Sequence, residues 1–231
     1  MKRPLQAILF DLDGTLLDSM PYHIVAWKQA FAEAGYHPGV IEFYLNEGVK
    51  HPIAVRDRLR QLGVANPDEE LVRQIYTRKR QIFEKIVEIK PIPGALELLS
   101  AVKGRLKLGI VTGGVPEVVR KVIDSLFRGY FDIVVDYGST EKGKPEPEPY
   151  LLGAQLAGCP KESILAVENA PTGIASAVDA GLCCWAVCTT LEPQYLERAD
   201  RIFATLDDVA VDLRNGDLLD AAGKSGNKNK M

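Results

Sequence analysis

Residues 5–15, which read LQAILFDLDGT, decide the fold of this chain. The run before Asp11 is short, continuous and apolar, as expected for a parallel strand that is buried on both faces. Asp11 and Asp13 follow at once, and a Gly-Thr pair completes a polar turn. In open α/β sheets, ligands bind at the carboxyl ends of the strands, so this turn is a candidate functional site.

The chain after residue 90 alternates between strand-like and helix-like segments. Polar turns follow the apolar runs at VTGG, GKPEP and VENAP. Strands that alternate with helices predict βαβ units, so we predict the fold class α/β with a doubly wound, Rossmann-like parallel sheet. The later predicted strands cover residues 105–114, 131–138, 164–167, 182–188 and 201–204, and the predicted helices cover residues 91–102, 115–127, 147–157 and 171–180.

Residues 17–90 interrupt this alternation with helical periodicity. A helix is predicted from Pro21 onward, with Trp27 and Phe31 on its apolar face, and a longer amphipathic helix is predicted within residues 67–90. We predict that this segment is an inserted α-helical cap domain. The predicted division is a catalytic core of residues 1–16 and 91–222, a cap of residues 17–90, and a disordered tail rich in Gly and Lys at residues 223–231.

Two parts of the predicted cap are interpreted as ordinary solvated helix surface. The long helix within residues 67–90 has an apolar stripe that includes Ile75 and Ile89, and its basic face is expected to face water. Three arginines alternate along another stretch and are expected to point to different faces of a solvated helix rather than form an anion clamp. These arginines are Arg56, Arg58 and Arg60.

Composition excludes several classes of function. The 231 residues include 28 Lys plus Arg against 31 Asp plus Glu, so the net charge of −3 offers no footprint for nucleic acid or an anionic membrane. The amino-terminal apolar run is too short for a secretory segment, which favours a cytoplasmic protein. The four cysteines are expected to be reduced core residues, and the three histidines show no zinc-like spacing. The sequence leaves the oligomeric state open.

Asp11 and Asp13 require a cation. Two carboxylates this close repel each other, and Mg²⁺, which takes oxygen ligands, is the natural neutralising ion. A calcium loop is disfavoured because a strand precedes these residues and the further acidic positions are missing. A nucleotide P-loop at residues 138–145 fails because Pro145 stands where a hydroxyl is needed.

Four segments resemble a known family in their order and spacing. They are DLDGTLLDS at 11–19, VTGG at 111–114, GKPEPEPY at 143–150 and VENAPTGIASA at 167–177. They are similar to the motifs of the haloacid dehalogenase-like hydrolase superfamily, and the helical insert resembles the small cap of its phosphatase and β-phosphoglucomutase branch. The resemblance covers residues 5 to about 190 and implies a phosphoryl-transfer enzyme.

The resemblance implies a role for each motif. Asp11 would be the nucleophile that accepts the phosphoryl group, and Asp13 would act as general acid and then as general base. The phosphoryl group would be bound by Thr112, Gly113, Gly114 and Lys144. The Mg²⁺ ligands would be Asp11, the main-chain carbonyl of Asp13, Glu168 and Asn169.

Asn169 departs from the commoner family pattern, which has an aspartate at this position. An amide oxygen can still bind Mg²⁺, so we expect an active enzyme with weaker metal binding. Three residues of the insert are further candidates for substrate binding, although the first can equally be a surface or hinge histidine and the other two can equally belong to a solvated loop. They are His23, Lys50 and His51, and Glu47 lies in the same polar turn as the last two.

The resulting prediction is a Mg²⁺-dependent phosphatase that hydrolyses a small phosphomonoester, such as a sugar phosphate or a phosphoglycolate-like metabolite, through an aspartyl-phosphate. A β-phosphoglucomutase-like phosphosugar mutase is the first alternative. The second is a phosphate-binding regulator without turnover, which Asn169 would explain. A dehalogenase is disfavoured because such relatives lack the second aspartate, and Asp13 is present.

Overall fold

Six parallel strands form one sheet in the computed structural model, which describes residues 4–215. The strands are β1 (Ala7–Phe10), β2 (Lys107–Val111), β3 (Ile133–Val135), β4 (Ile164–Glu168), β5 (Cys183–Val187) and β6 (Arg201–Phe203). Their spatial order is β3-β2-β1-β4-β5-β6. Each predicted strand is present, and the predicted tail at residues 223–231 lies outside the described residues.

Nine α-helices lie within residues 4–215. They are α1 (Met20–Glu33), α2 (Ile41–Leu45), α3 (His51–Gln61), α4 (Glu69–Ile86), α5 (Ala95–Val102), α6 (Pro116–Leu126), α7 (Glu148–Ala157), α8 (Pro171–Asp179) and α9 (Leu206–Asn215). Short 3₁₀ turns occur at Lys161–Ser163 and Pro193–Tyr195.

Helices cover both faces of the sheet. One hydrophobic cluster joins α5, α6 and α9 to one face, and a second joins α7 and α8 to the other. Buried parallel strands with apolar side chains on both faces require this arrangement, because each face must be removed from water. The predicted α/β class with a doubly wound parallel sheet is confirmed.

The order of the strands reverses at β1, which lies between β2 and β4. Phe10 is aligned with Ile110 on one side and with Val167 on the other. The main-chain N–H of Asp11 continues the ladder by donating to the carbonyl of Val167 at 2.9 Å. A ligand crevice opens where strand order reverses, and Asp11 lies at this point.

Helices α1 to α4 form a separate cluster above this edge of the sheet. Its core contains the aromatic rings of Trp27, Phe31 and Phe43, whose centroids lie 5.9–6.1 Å apart. The chain enters and leaves the cluster through paired segments, where the N–H of Asp18 donates to the carbonyl of Lys90 at 2.9 Å. We call residues 17–90 the cap; their division from the core remains a prediction.

The structure corrects three expectations about the cap surface. Arg58 and Lys79 are buried, with 4% and 2% of their surface exposed, although both were expected to face water. Ile89, expected in the apolar stripe, is 38% exposed because α4 ends at Ile86. Helix α4 packs against both α1 and α3, so its buried surface is wider than a single stripe.

The cysteines within residues 4–215 are all free thiols. Cys184 is fully buried on β5, whereas the other three are partly exposed. No helix in this described part of the chain combines the length and the apolar character needed to cross a membrane.

Candidate active site

The ends of neighbouring strands bring the predicted site residues together. Asp11 follows β1, Thr112 follows β2, and Glu168 ends β4. Each of these residues is at least 95% buried at the carboxyl edge of the sheet. Lys144 reaches the same place from the long loop after β3 and is 3% exposed. Four segments distant in sequence therefore meet at one point, as their strand-end positions predicted.

Lys144 is held between two carboxylates. Its Nζ donates to Asp11 Oδ1 and to Glu168 Oε1, both at 2.6 Å. Burial alone would lower the pKa of Lys144, but the two carboxylates outweigh burial and keep the pKa above its ordinary value. Lys144 therefore remains a fixed cation beside Asp11.

Asp11 is buried next to other acidic groups. Burial raises its pKa, Lys144 opposes the increase and Glu168 adds to it, so that the pKa reaches about 7. Within the described residues, Oδ2 of Asp11 has no hydrogen-bond partner. One oxygen is thus oriented by Lys144, and the other is left available to a phosphorus atom or a cation.

Asp13 points toward the cap. Its Oδ1 accepts a hydrogen bond from Ser19 Oγ at 2.6 Å and lies 3.5 Å from His23 Nε2. Burial would raise the pKa of Asp13, but the contacts with His23 and Ser19 lower it to about 2. Without substrate, Asp13 is therefore a carboxylate.

His23 continues this chain of contacts into the cap. Its Nδ1 lies 2.8 Å from Nζ of Lys79, and its ring stacks on Phe83 with centroids 4.0 Å apart. Burial lowers the pKa of His23 and lowers that of Lys79 to about 7. Because the neutral His23 ring has one donor and one acceptor nitrogen, Nδ1 accepting from Lys79 leaves Nε2 to donate to Asp13.

The turn after β2 approaches the cap closely. Thr112 Oγ1 accepts from the N–H of Gly114 at 3.0 Å, which fixes the hydroxyl in the turn. A side chain on Gly113 would place its Cβ 3.0 Å from the carbonyl oxygen of Gly48 in the cap. Glycine at 113 therefore permits the approach of the loop that contains Glu47, Gly48 and Lys50.

Glu168 is fixed on several sides. Tyr150, fully buried, donates its hydroxyl to Oε1 at 2.7 Å, the oxygen that also accepts from Lys144. The Asn169 N–H donates to Oε2 at 3.2 Å. A Cβ at Gly173 would lie 2.0 Å from Oε1, so the absence of a side chain on α8 makes room for this carboxylate.

Asn169 connects the core to the cap. Its Oδ1 accepts from Thr15 Oγ1 at 2.9 Å, and its Nδ2 donates to Thr190 Oγ1 and to Glu47 Oε2, both at 2.9 Å. The carbonyl of Glu47 also accepts a hydrogen bond from the hydroxyl of Thr172. The amide at 169 thus donates to a cap carboxylate, which an aspartate could not do.

Lys50 and His51 take different positions in the cap. Lys50 donates from Nζ to the carbonyl of Thr140 at 2.8 Å and lies over the ring of Tyr137, so it joins the cap to the core loop. His51 lies in the main cavity, where its ring meets Trp27 edge-on at 5.6 Å. Burial lowers the pKa of His51 well below its ordinary value.

A cavity of about 100 Å³ lies between cap and core. Its core side contains the turns after β1 and β2, and its cap side is mostly aromatic and apolar. The polar or charged side chains that line it include Asp11, Asp13, His23, Glu47, His51 and Arg58. This volume is sufficient for a phosphoryl group with a small substituent.

The donor set fits a hard cation, although no three His, Cys, Asp or Glu side chains within residues 4–215 form a ready-made metal centre. Asp11 Oδ2 and Glu47 Oε1 are both buried and lack hydrogen-bond partners in this part of the chain. The pKa of Glu47 is raised well above its ordinary value by burial and by nearby carboxylates, including that of Asp11. An ion bound by carboxylate, amide and main-chain oxygens would relieve this repulsion.

Sequence reasoning missed several residues of the site. Lys79 lies on a helix whose periodicity predicted only packing, and Tyr150 ends the GKPEPEPY segment but was given no role; both reach the site because of how their helices dock. The sequence around a residue does not reveal such contacts, because they depend on the relative positions of separate elements. Ser19, Thr15, Thr172 and Thr190 were not singled out either, although each hydroxyl bonds to a site residue or its loop.

The fold and the site define a class of capped α/β proteins with a carboxylate-rich site at the point where strand order reverses. The family model for haloacid dehalogenase-like hydrolases matches residues 5–181. The chain belongs to this family of hydrolases.

Relatives cover most of the chain. Hexitol phosphatase A of Escherichia coli is 31% identical over 217 residues, which are 93% of this chain and 98% of that protein. Phosphoglycolate phosphatase of Aquifex aeolicus is 31% identical over 184 residues, covering 77% and 82% of the two chains. A Bacteroides vulgatus structure provisionally named a β-phosphoglucomutase superposes with a TM-score of 0.83 at 32% identity, covering 96% of this chain and 91% of that one.

Proposed function

We propose that this protein is a Mg²⁺-dependent phosphatase that hydrolyses a small phosphomonoester through an aspartyl-phosphate on Asp11. The main support for this proposal is the buried Asp11 carboxylate. One of its oxygens is bound to Lys144 at 2.6 Å, and the other has no hydrogen-bond partner among the described residues. The names of the relatives support a sugar phosphate or a phosphoglycolate-like substrate.

In the first step, an oxygen of Asp11 attacks phosphorus and the bond to the leaving alcohol breaks. Lys144 stays beside Asp11 as a fixed positive charge, which stabilises the charge that develops on the phosphoryl oxygens. The hydroxyl of Thr112 and the amides of Gly113 and Gly114 are the proposed neutral donors to these oxygens. Bound Mg²⁺ would neutralise the acidic groups and polarise the phosphoryl group.

Asp13 is the proposed proton carrier. A dianionic phosphate that binds beside its carboxylate raises the pKa of Asp13, so the group can take up a proton as the substrate enters. Asp13 then gives this proton to the leaving alcohol. In the second step the carboxylate removes a proton from water, which attacks the phosphorus and releases Asp11.

His23 and Lys79 are proposed to orient Asp13 from the cap. Because Asp13 reaches them through the 3.5 Å contact with His23, the proton carrier is in position when the cap lies on the core. We propose that Mg²⁺ is held by Asp11, the main-chain carbonyl of Asp13, Glu168 and Asn169. His51 and Lys50 remain proposed substrate-binding residues, although Lys50 contacts the core loop here.

A phosphosugar mutase is the second candidate. The observation that favours it is the contact of the cap loop with the core through Glu47, since a closed cap shields an aspartyl-phosphate from water. The Bacteroides vulgatus relative supports the same alternative. A mutase returns the phosphoryl group to a sugar, so it releases no net phosphate.

The test is phosphate release from a panel of small phosphomonoesters with and without Mg²⁺, with Asp11→Asn as the matched control. Mg²⁺-dependent release that the substitution abolishes supports the phosphatase. Isomerisation of a sugar phosphate without net release would support the mutase. Phosphate or metal binding without either reaction would support a regulator and contradict both enzymatic proposals.

A further inference from the structure

The cap loop that contains Glu47 is fixed against the core at several points. The main-chain carbonyl of Glu47 accepts a hydrogen bond from the Thr172 hydroxyl, and Val49 forms an isolated parallel bridge with Lys144. Gly48 has a φ of +79°, and a Cβ at this position would lie 2.9 Å from Cδ of Lys144. A glycine therefore lets the loop approach the buried lysine, and Glu47 lines the cavity beside it.

The carboxylate of Glu47 lacks a positive partner. Its Oε2 accepts from the neutral amide of Asn169 at 2.9 Å, and its Oε1 is buried without a hydrogen-bond partner within residues 4–215. A buried carboxylate oxygen in this state is uncommon and costly. The other such carboxylate oxygen among these residues is Oδ2 of Asp11, which is 95% buried and lines the same cavity.

Glu47 also lies near the other acidic groups of the site. Burial raises its pKa, and the carboxylates of Asp11, Asp13 and Glu168 raise it further. Four carboxylates, which include that of Glu47, therefore repel one another at the edge where the cap meets the core. A cation among them would relieve this repulsion.

The basic side chains nearby do not neutralise Glu47. Lys144 is shared between Asp11 and Glu168, at 2.6 Å from each. The basic residues of the cap contact other groups in the described structure: Lys50 the carbonyl of Thr140, Arg58 the carboxylate of Glu42, and Lys79 the ring of His23. The charge on Glu47 is thus left for a group from outside the chain.

Asn169 links Glu47 to the proposed metal ligands. Its Nδ2 donates to Glu47, and its Oδ1 accepts from Thr15 at 2.9 Å. An amide oxygen can bind a cation, but it offers a dipole and no net charge. The same amide that brings no charge to the ion therefore holds a carboxylate from the cap beside it.

We propose that Glu47 is a further Mg²⁺ ligand, supplied by the cap, which adds the negative charge that the amide of Asn169 cannot provide. The inference rests on the proposed Mg²⁺-dependent function and adds one residue to its metal site. No three His, Cys, Asp or Glu side chains within residues 4–215 form a ready-made centre, so we expect ion binding to draw the cap loop toward the core. Binding of Mg²⁺ and contact of the cap are then coupled.

Calorimetric titration of the full chain with Mg²⁺, without substrate, tests this ligand. Glu47→Gln keeps the size of the side chain and removes its charge, so the dissociation constant should rise about tenfold or more. Glu69→Gln is the matched control, because it makes the same charge change on the cap at a side chain that is 75% exposed. Its dissociation constant should change less than about twofold, since water and salt screen an exposed charge. A change of less than about twofold in Glu47→Gln would overturn the proposal.

Moving the carboxylate from cap to core separates a ligand from a general effect of charge. The double variant Glu47→Gln with Asn169→Asp should bind Mg²⁺ more tightly than Glu47→Gln alone, and no recovery would contradict the proposal. Mg²⁺ should slow hydrogen exchange of the main-chain amides of residues 46–50 in the wild type. It should not do so in the double variant, whose ligands all belong to the core. Equal protection of the loop in both proteins would overturn the role of Glu47.

The wild type alone also tests the inference, whatever the variants' stability. If it does not bind Mg²⁺, or binds Mg²⁺ without slower exchange at residues 46–50, the proposal is wrong. These measurements use no turnover, so failure of the ligand and failure of the phosphatase are distinguishable. Mg²⁺-dependent phosphate release with unchanged Mg²⁺ affinity in Glu47→Gln would contradict the ligand alone. Mg²⁺ binding through Glu47 without phosphate release from any ester would support the ligand and contradict the phosphatase.

Discussion

Asn169 shows how one residue type can couple two parts of the molecule. As an amide it accepts from Thr15 and donates to Glu47, so a core residue and a cap carboxylate share a hydrogen bond. An aspartate would place a second acidic group beside Glu47 and would lack the N–H donor that the amide of Asn169 supplies at 2.9 Å. The departure from the commoner family pattern therefore favours the contact of the cap with the core.

Asn169→Asp is expected to destabilise the metal-free protein by about 2 kcal/mol, because it removes donors to buried groups and adds a like charge. Adding Mg²⁺ should raise the melting temperature of the variant more than that of the wild type, since the new carboxylate binds the ion. Thermal unfolding at several Mg²⁺ concentrations measures both effects. The double variant with Glu47→Gln should recover part of the loss. Equal Mg²⁺ responses in variant and wild type would disprove this account of Asn169.

Tyr150→Phe removes a hydroxyl that orients Glu168. Outer-shell partners of metal ligands typically contribute 10- to 100-fold to metal affinity, so the dissociation constant for Mg²⁺ should rise about tenfold. Calorimetric titration of the protein with Mg²⁺ measures this constant without turnover. Tyr130→Phe is the matched control, because its hydroxyl bonds to Ser100 on a different surface. Unchanged Mg²⁺ affinity in Tyr150→Phe would show that the hydroxyl only fills space.

Sequence reasoning was most successful for residues at strand ends. Asp11, Thr112 and Glu168 were predicted to converge because parallel strands present their carboxyl ends at one edge. Lys79 was instead interpreted as part of a solvated face. The helical period shows that one face of α4 is apolar, but it does not reveal that α1 and α3 together cover a wider surface.

At the scale of elements, α4 is a packing helix that also delivers a titratable group. Helix α4 contacts α1 and α3. Lys79 is buried, with 2% of its surface exposed, and its Nζ lies 5.0 Å from the centre of the Trp27 ring. Burial lowers the pKa of Lys79 from 10.5 to about 7. Folding therefore favours the neutral amine between these two values.

Stability should depend on pH through Lys79. Between pH 7 and 10 the unfolded chain holds a proton on Lys79 that the folded chain releases, so folding stability rises with pH by up to about 1.4 kcal/mol per unit. Urea unfolding of the wild type and Lys79→Met at pH 7, 8 and 9 isolates this contribution. The wild type should gain stability relative to the variant as pH rises. Lys85→Met, at an exposed position of α4, is the control and should show no such trend.

If the unfolding free energies of the wild type and Lys79→Met differ by a constant amount from pH 7 to 9, the lowered pKa of the buried Lys79 amine is contradicted.

The strands of the core were easier to predict than this cap helix. Short apolar runs that end in Gly- or Pro-containing turns identified the first five strands, with ends that differ by a few residues, and the sixth was predicted from a weaker apolar run at residues 201–204. Such runs are local signals, whereas the docking of α4 is not.

For the whole molecule, the sequence predicted an α/β core with a helical insert above its carboxyl edge. It did not predict how the cap meets the core. That contact is made by Glu47 with Asn169 and Thr172, and by Lys50 with Thr140, residues about 90–125 positions apart in sequence. Only the folded arrangement shows that the cap contacts Asp13, through the side chains of Ser19 and His23.

The central claim is that Asp11 carries the phosphoryl group. The most direct measurement is a rapid-quench experiment in which the protein with Mg²⁺ is mixed with a radiolabelled small phosphomonoester that it hydrolyses and the protein-bound label is mapped. We predict an acid-stable, hydroxylamine-labile acyl phosphate on the peptide containing Asp11, absent from Asp11→Asn. Net hydrolysis without protein-bound label at any quench time, or label that persists in Asp11→Asn, would contradict the account.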